Sequence, residues 1–112
     1  MLIYGSSFGN FFQALYRINR FDDMVKFTSK GSRKKFGDKA ILGFYKNDFH
    51  FDFELGKLTS IQKSGDTSNL IYSNAIIFST RRKVVLETVN ENDSVRLVLH
   101  TLKNPFNISL VK

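Results

Sequence analysis

Three polar side chains that alternate along one short segment are the residues best suited to acid–base or metal chemistry. His50, Asp52 and Glu54 occupy every second position of FHFDFEL (49–55). Alternate side chains of a β-strand share a face, so these groups would be about 6.6 Å apart along it. Every half-exposed strand has such a face, and we therefore predict a solvated surface here. His100 would strengthen the metal or acid–base interpretation if it came beside His50.

The segment Gly5-Ser6-Ser7-Phe8-Gly9 matches the G-x-S-x-G pattern of a hydrolase nucleophile. That nucleophile works at the top of a large parallel sheet, which a chain without alternating strands and helices does not form. A serine just before an apolar helical pattern is also typical of a helix N-cap. We therefore predict a helix cap at Ser6 or Ser7, and no catalytic residue.

Two basic clusters have the chemistry that suits a polyanion. Lys and Arg neutralise phosphates, and an aromatic ring stacks on an exposed base. One cluster includes such a ring, and the other stands between two predicted strands. The sequence predicts a nucleic-acid-binding site formed by Arg33, Lys34, Lys35, Phe36, Arg81, Arg82 and Lys83.

The net charge of +7, with an isoelectric point near 9.8, also favours an anionic partner. Residues 1–40 carry eight Lys and Arg against three Asp and Glu, and residues 79–112 carry six against three. Residues 41–78 carry three against four, so the middle of the chain is slightly acidic. If the two ends meet in space, they would form one basic face.

The composition excludes several classes of protein. The chain has no cysteine, so disulfide frameworks, cysteine zinc sites and thiol nucleophiles are absent. We expect the cytoplasm or another reducing intracellular compartment. No stretch approaches the roughly 18 apolar residues that a membrane helix needs. No pattern indicates a metal or a cofactor, and we predict neither. A length of 112 residues with 42% hydrophobic residues fits one folded domain over 1–112.

The N-terminal part of the chain has a helical pattern. Its apolar residues fall on one helical stripe and predict a helix over residues 7–19. A second helix is predicted from Asn19 to Lys30, or one bent helix over both segments. The glycine-bounded stretch 31–38 is predicted to be an exposed, mobile loop. The stripe consists of Phe8, Phe11, Phe12, Leu15 and Ile18.

The remainder of the chain is predicted to be β-structure. Residues 40–45 and 49–55 would form a hairpin, with Lys46-Asn47-Asp48 as its turn. The resulting fold class is α+β. An N-terminal helix or helical hairpin (mainly 1–30) would pack on an antiparallel meander (mainly 39–111). The meander would form a curled sheet or small barrel of five to seven strands. The later strands are predicted at 58–63, 70–80, 83–89, 94–102 and 106–110.

These observations support three functions. The first is a small non-enzymatic protein that contacts RNA or DNA phosphates through its basic clusters. The alternative is a protein–protein interaction module, such as a regulator, inhibitor or assembly subunit, with a protein partner or a second copy of itself. The third is a small ribonuclease, which would need His50 or His100 in a cleft beside a basic cluster.

Overall fold

A computed structural model describes the backbone of residues 5–103 and 107–110, and the side chains of residues 8–103. The predicted strand at 106–110 therefore lies partly outside the described residues. The described chain forms four helices followed by five strands. They are α1 (Gly5–Arg17), α2 (Phe21–Lys26), α3 (Lys30–Phe36), α4 (Asp38–Asn47), β1 (Ser60–Ser64), β2 (Thr67–Ile77), β3 (Thr80–Glu91), β4 (Ser94–Leu97) and β5 (Asn107–Leu110).

The strands form one antiparallel sheet in the order β1-β2-β3-β4. β4 pairs with the second half of β3, and β5 pairs with the first half. Within the described residues β1 pairs only with β2, so the sheet is open. The predicted α+β class is confirmed. The predicted curled sheet or barrel of five to seven strands is not supported, because the continuous path has four strands and does not close.

The helices and one face of the sheet share a single aromatic core. Phe8 and Phe12 of α1 are fully buried, as are Val84 and Leu86 of β3. The Phe12 ring meets the Tyr45 ring edge-on at 5.7 Å between centroids. Burying one phenylalanine side chain stabilises the folded state by roughly 1.5–3 kcal/mol. The many phenylalanines of the chain therefore serve largely to form this core.

Helix α1 confirms the predicted amphipathic helix but begins earlier. Its backbone is helical from Gly5, so Ser6 and Ser7 lie inside the helix and the predicted cap at either residue is wrong. The backbone of the helix lies close to the sheet at Gly9. The N–H of Gly9 donates to the hydroxyl of Tyr72 at 3.2 Å, and no other residue type leaves room for this contact.

The second helix is shorter than predicted, ending at Lys26. The chain after it makes one isolated parallel bridge to β4, between Thr28 and Leu97. Leu97 donates its N–H to the carbonyl of Phe27 and accepts from the N–H of Ser29, both at 2.8 Å. These two long-range bonds replace the helical bonds that a continuation to Lys30 would have made.

The prediction of a mobile loop at 31–38 is wrong, because α3 occupies most of that stretch. The Ser29 hydroxyl caps the helix by accepting from the N–H of Ser32 at 3.2 Å. The Ser32 hydroxyl also accepts from the N–H of Leu99 at 2.8 Å and so ties the helix to the sheet. Lys and Arg are good helix formers, which the loop prediction ignored.

The predicted hairpin of residues 40–45 and 49–55 is also wrong. Residues 38–47 form α4, in which Ile41, Phe44 and Tyr45 are buried. These positions follow a helical spacing of three and four. In a short apolar run that spacing is hard to distinguish from a buried strand. The helix also removes the strand partner that residues 49–55 were predicted to have.

Candidate nucleic-acid interface

A two-residue turn joins β2 to β3 and carries an exposed aromatic ring. Phe78 and Ser79 both have positive φ angles, +52° and +63°, which is typical of a type I′ hairpin turn. The Phe78 side chain is 95% exposed. Such turns prefer Asn and Gly, because other residues are strained at positive φ. The exposed Phe78 side chain makes no core contacts that would offset this strain. We call residues 76–83 the hairpin tip.

The second basic cluster lies in this tip, and the strand divides it between two faces. Arg81 pairs with Ile76 in the strand register, and Arg82 pairs with Ala75, which is fully buried. Arg82 therefore shares the core face of the sheet, and its buried Nε has no hydrogen-bond partner in the described part of the chain. Arg81 and Lys83 share the opposite face, about 6.6 Å apart along the strand.

Arg81 and Lys83 keep their charge available to a ligand. Both side chains are exposed, and neither forms an ion pair with any residue from 8 to 103. Several other cations of the described chain are paired with a carboxylate. Those paired cations are Arg20 and Lys26 with Asp23, Arg33 with Asp38, and Arg96 with Glu91.

A cleft of about 460 Å³ lies beside the tip, and we call it the tip cleft. One wall is apolar and includes the exposed ring of the turn. The other wall contains the polar row, by which we mean His50, Asp52 and Glu54. The described lining is His50, Asp52, Phe53, Glu54, Ile76, Ile77 and Phe78. The volume lies within the range of about 300–1,000 Å³ that is common for small-molecule sites.

The polar row and the cations lie on one face of the sheet. Ile76 donates its N–H to the carbonyl of Glu54 at 2.8 Å, which places the two residues opposite each other. Ile76 is also opposite Arg81 on its other side. Neighbouring strands are about 4.8 Å apart, so Glu54 and Arg81 are about 10 Å apart with an apolar residue between them.

Helix α1 holds the polar row in place through a buried glutamine. The Gln13 amide donates to the carbonyl oxygens of Phe51 and Phe53, at 3.1 and 2.6 Å. Phe51 and Leu55 are buried while His50 and Asp52 are exposed, so the alternating faces predicted from the sequence are confirmed. The strand predicted at 49–55 is wrong, because the Gln13 side chain donates to carbonyl oxygens that a neighbouring strand was expected to bond.

The two histidines do not come together. His50 lines the tip cleft, whereas Nε2 of His100 lies 3.0 Å from Oε1 of Glu87. Among residues 8–103, no three metal-binding side chains are grouped in a way that could hold an ion. The polar row therefore lines the tip cleft and does not form a metal site with His100.

The first basic cluster is distributed around α3. Two guanidinium nitrogens of Arg33 donate to the Asp38 carboxylate, Nε to Oδ1 at 2.9 Å and Nη2 to Oδ2 at 2.7 Å. These bonds lower the pKa of Asp38 and raise the pKa of Arg33. Lys35 donates to the carbonyl of His100 at 3.3 Å.

Phe36 does not offer a free ring for stacking. Its side chain is half-buried and packs against the core, with Nζ of Lys35 5.1 Å from the ring centroid. Lys34 is the exposed cation of this cluster for which no partner appears among residues 8–103. Among residues 8–103 the exposed aromatic ring is that of Phe78, which the sequence analysis placed inside a strand.

The two basic clusters lie at opposite ends of β3. Lys30, which begins α3, donates its N–H to the Glu91 carboxylate at 3.1 Å, at the end of β3. Lys83 and Glu91 are about 26 Å apart along the strand. Glu87 and Glu91 share the face of Lys83, so acidic side chains separate the clusters. The side chains of residues 8–103 therefore do not form a single continuous basic face.

None of the helices in the described part of the chain is long and apolar enough to cross a membrane. No family model, curated protein or solved structure matches the chain.

Proposed function

We propose that this protein is a small non-enzymatic nucleic-acid-binding protein and that it contacts phosphates through the hairpin tip. The observation that carries the proposal is the arrangement of Arg81 and Lys83 on one exposed face, without ion pairs to described residues, beside the exposed ring of Phe78. A cation that has no ion pair within the protein can contact a phosphate without first breaking an existing bond. Each such contact releases counterions that were condensed on the nucleic acid, and this release favours binding.

The α3 cluster has a secondary role in this proposal. The Arg33 guanidinium is already held by Asp38 through two hydrogen bonds, and Lys35 is directed to the carbonyl of His100. Only Lys34 remains for a direct phosphate contact there. The positive charge of both clusters still adds to the long-range attraction that brings a polyanion to the protein.

The experiment that tests the proposal is a fluorescence-anisotropy titration with single-stranded RNA, single-stranded DNA and duplex DNA at about 50 and 200 mM salt. We expect binding at low salt that weakens strongly at high salt, since each phosphate contact contributes to the salt dependence. The variant R81E/K83E should lose most of this affinity.

A matched control is K39E/K46E, which changes the net charge equally on exposed positions of α4. That helix packs against α2 and α3. The control should bind much more tightly than R81E/K83E. Absence of binding at low salt would overturn the proposal, and equal losses in the two variants would refute the assignment to the tip.

The protein-interaction module remains the second candidate, and the exposed apolar residues favour it. Phe78 is 95% exposed and Ile76 is 37% exposed. Strand β1 presents an edge whose residues are all exposed, and such an edge can pair with another chain. This candidate predicts a discrete complex or oligomer and no nucleic-acid affinity at physiological salt.

The ribonuclease has less support. His50 does lie in a cleft at the tip, but its companions in the described lining are two carboxylates and apolar side chains rather than cations. Carboxylates in the cleft repel a phosphodiester. The tip cations lie on the other side of Ile76, where they would bind phosphate away from the imidazole.

A further inference from the structure

The exposed position of Phe78 favours a single strand over a duplex as the ligand of the hairpin tip. In a duplex the flat faces of the bases are covered by their neighbours, whereas an unpaired base can stack on an aromatic side chain. The Phe78 ring is almost fully exposed and belongs to the two-residue turn between β2 and β3. A ring held there offers a flat surface to one base without having to leave the core.

The chemistry of the tip changes across its width. Carboxylates of the polar row line one side of the tip cleft, Ile76 and Phe78 form the apolar middle, and Arg81 follows on the next strand. A nucleotide has the same order of groups. Its base edge carries hydrogen-bond donors in some bases, its ring is flat and apolar on both faces, and its phosphate is negative.

From this match we infer that the hairpin tip and the tip cleft form a subsite for one unpaired base of a single strand. The base stacks on Phe78, its edge faces Asp52 and Glu54, and the adjoining phosphates lie on Arg81 and Lys83. The inference rests on the proposed function and specifies its ligand as single-stranded RNA or DNA.

The carboxylates would also select among bases. The amino group of cytosine donates a hydrogen bond to a carboxylate, whereas thymine and uracil present a carbonyl oxygen at the same position. Facing Asp52 and Glu54, that oxygen would be repelled. The subsite is therefore expected to prefer cytosine to thymine, although both stack on an aromatic ring.

The test measures the affinities of labelled single strands of about eight nucleotides at pH 7.5 and low salt. The probes are oligo-dC, oligo-dT, an abasic strand of the same length and a duplex. The wild-type protein should bind the single strands more tightly than the duplex, and oligo-dC more tightly than oligo-dT. F78A should bind oligo-dC about tenfold more weakly and should bind the abasic strand as the wild type does.

Two further variants separate stacking from other effects. I18A removes another exposed apolar side chain and should leave every affinity unchanged. D52N/E54Q removes two negative charges, so it should bind all strands more tightly while losing the preference for cytosine. It keeps the shape of both side chains, which protects the fold.

The outcomes distinguish this inference from the proposed function. If F78A binds oligo-dC as the wild type does, or if the duplex binds as tightly as the single strands, the inference is overturned. The proposed function would then still stand, provided that R81E/K83E loses affinity. If no probe binds at low salt, both are overturned.

Discussion

The side-chain amide of Gln13 lies 2.6 Å from the carbonyl oxygen of Phe53. Through this bond a helix supports an extended segment in place of a neighbouring strand, and the segment carries one wall of the tip cleft. Gln13 is only 5% exposed, so water cannot readily replace it.

Replacing Gln13 with leucine should destabilise the protein. The substitution keeps a side chain of similar size but removes the buried amide that donates to the carbonyl oxygens of Phe51 and Phe53, which costs about 1–3 kcal/mol. The Phe53 carbonyl still accepts from Nη2 of Arg17 at 3.4 Å, a longer and exposed bond. Urea unfolding measures the change. N10A, at an exposed position of the same helix, is the control and should cost less than about 0.5 kcal/mol. Equal stabilities of Q13L and the wild type would contradict the assigned role.

Two glycines should respond in opposite ways to alanine. A Cβ on Gly9 would lie 2.7 Å from Cζ of Tyr72 and 2.9 Å from Leu55, so G9A should lower the free energy of unfolding by about 1–3 kcal/mol. Gly31 lies in α3 and nothing is within 4 Å of its added Cβ. G31A should therefore stabilise by about 0.5–1 kcal/mol. Thermal unfolding of both variants tests this contrast, and destabilisation by G31A would contradict it.

The turn at Phe78 and Ser79 should show a conflict between stability and binding. F78N places a residue that tolerates positive φ in the turn, so it should raise the free energy of unfolding by about 1 kcal/mol and weaken oligo-dC binding. S79G relieves strain at the next position but keeps the ring. It should stabilise the protein and leave binding unchanged. Weakened binding by both variants would show that turn geometry, rather than the ring, decides affinity.

The buried hydroxyl of Tyr45 should make stability fall at high pH. It lies 2.6 Å from Oγ1 of Thr28, which itself donates to the carbonyl of Met24. Burial raises the pKa of Tyr45 above that of an ordinary tyrosine, so the folded protein holds its proton after the unfolded chain has lost it. The free energy of unfolding should therefore decrease as the pH rises above about 10, by up to 1.36 kcal/mol per pH unit.

Y45F isolates this contribution. It should cost about 1 kcal/mol at neutral pH, where the hydrogen bond to Thr28 is lost, and it should reduce the decline of stability above pH 10. Urea unfolding at several pH values provides the comparison. An identical decline in Y45F and the wild type would assign the effect to other groups, among them Tyr72, whose pKa burial also raises.

The salt dependence of binding should identify which cations touch phosphates. For a single strand, each phosphate contact contributes about 0.7 to the slope of log affinity against log salt. R81A/K83A should therefore reduce the slope by about 1.4. K34A/K35A removes the same charge from α3, where Lys35 is directed to a carbonyl, and should reduce it by less. A larger reduction from the α3 pair would place the main contacts there.

The sequence was sufficient to predict the segments whose hydrophobic pattern matches the burial of their side chains in the structure. The stripe through Phe8 and Phe12 predicts α1, and the strand predicted at 83–89 lies within β3. The burial of Phe51 and Leu55 was also predicted. Local pattern does not specify the backbone partner, however, and here the partner is the side chain of Gln13.

The candidate site was predicted only in part. Arg81 and Lys83 were selected for their charge, but the division of the cluster between two faces depends on the β2–β3 register. Phe78 was missed because it follows Ile76 and Ile77 in an apolar run. Its turn has Ser79 in place of the usual glycine, which leaves no clear turn signal.

The most direct test of the central claim is an NMR titration of the ¹⁵N-labelled protein with a single-stranded oligonucleotide at low salt. We predict that the amide resonances that shift belong to residues 76–83 and 50–54, and that those of α3 shift less. Shifts concentrated in α3, or no shifts at saturating oligonucleotide, would contradict the assignment of nucleic-acid binding to the hairpin tip.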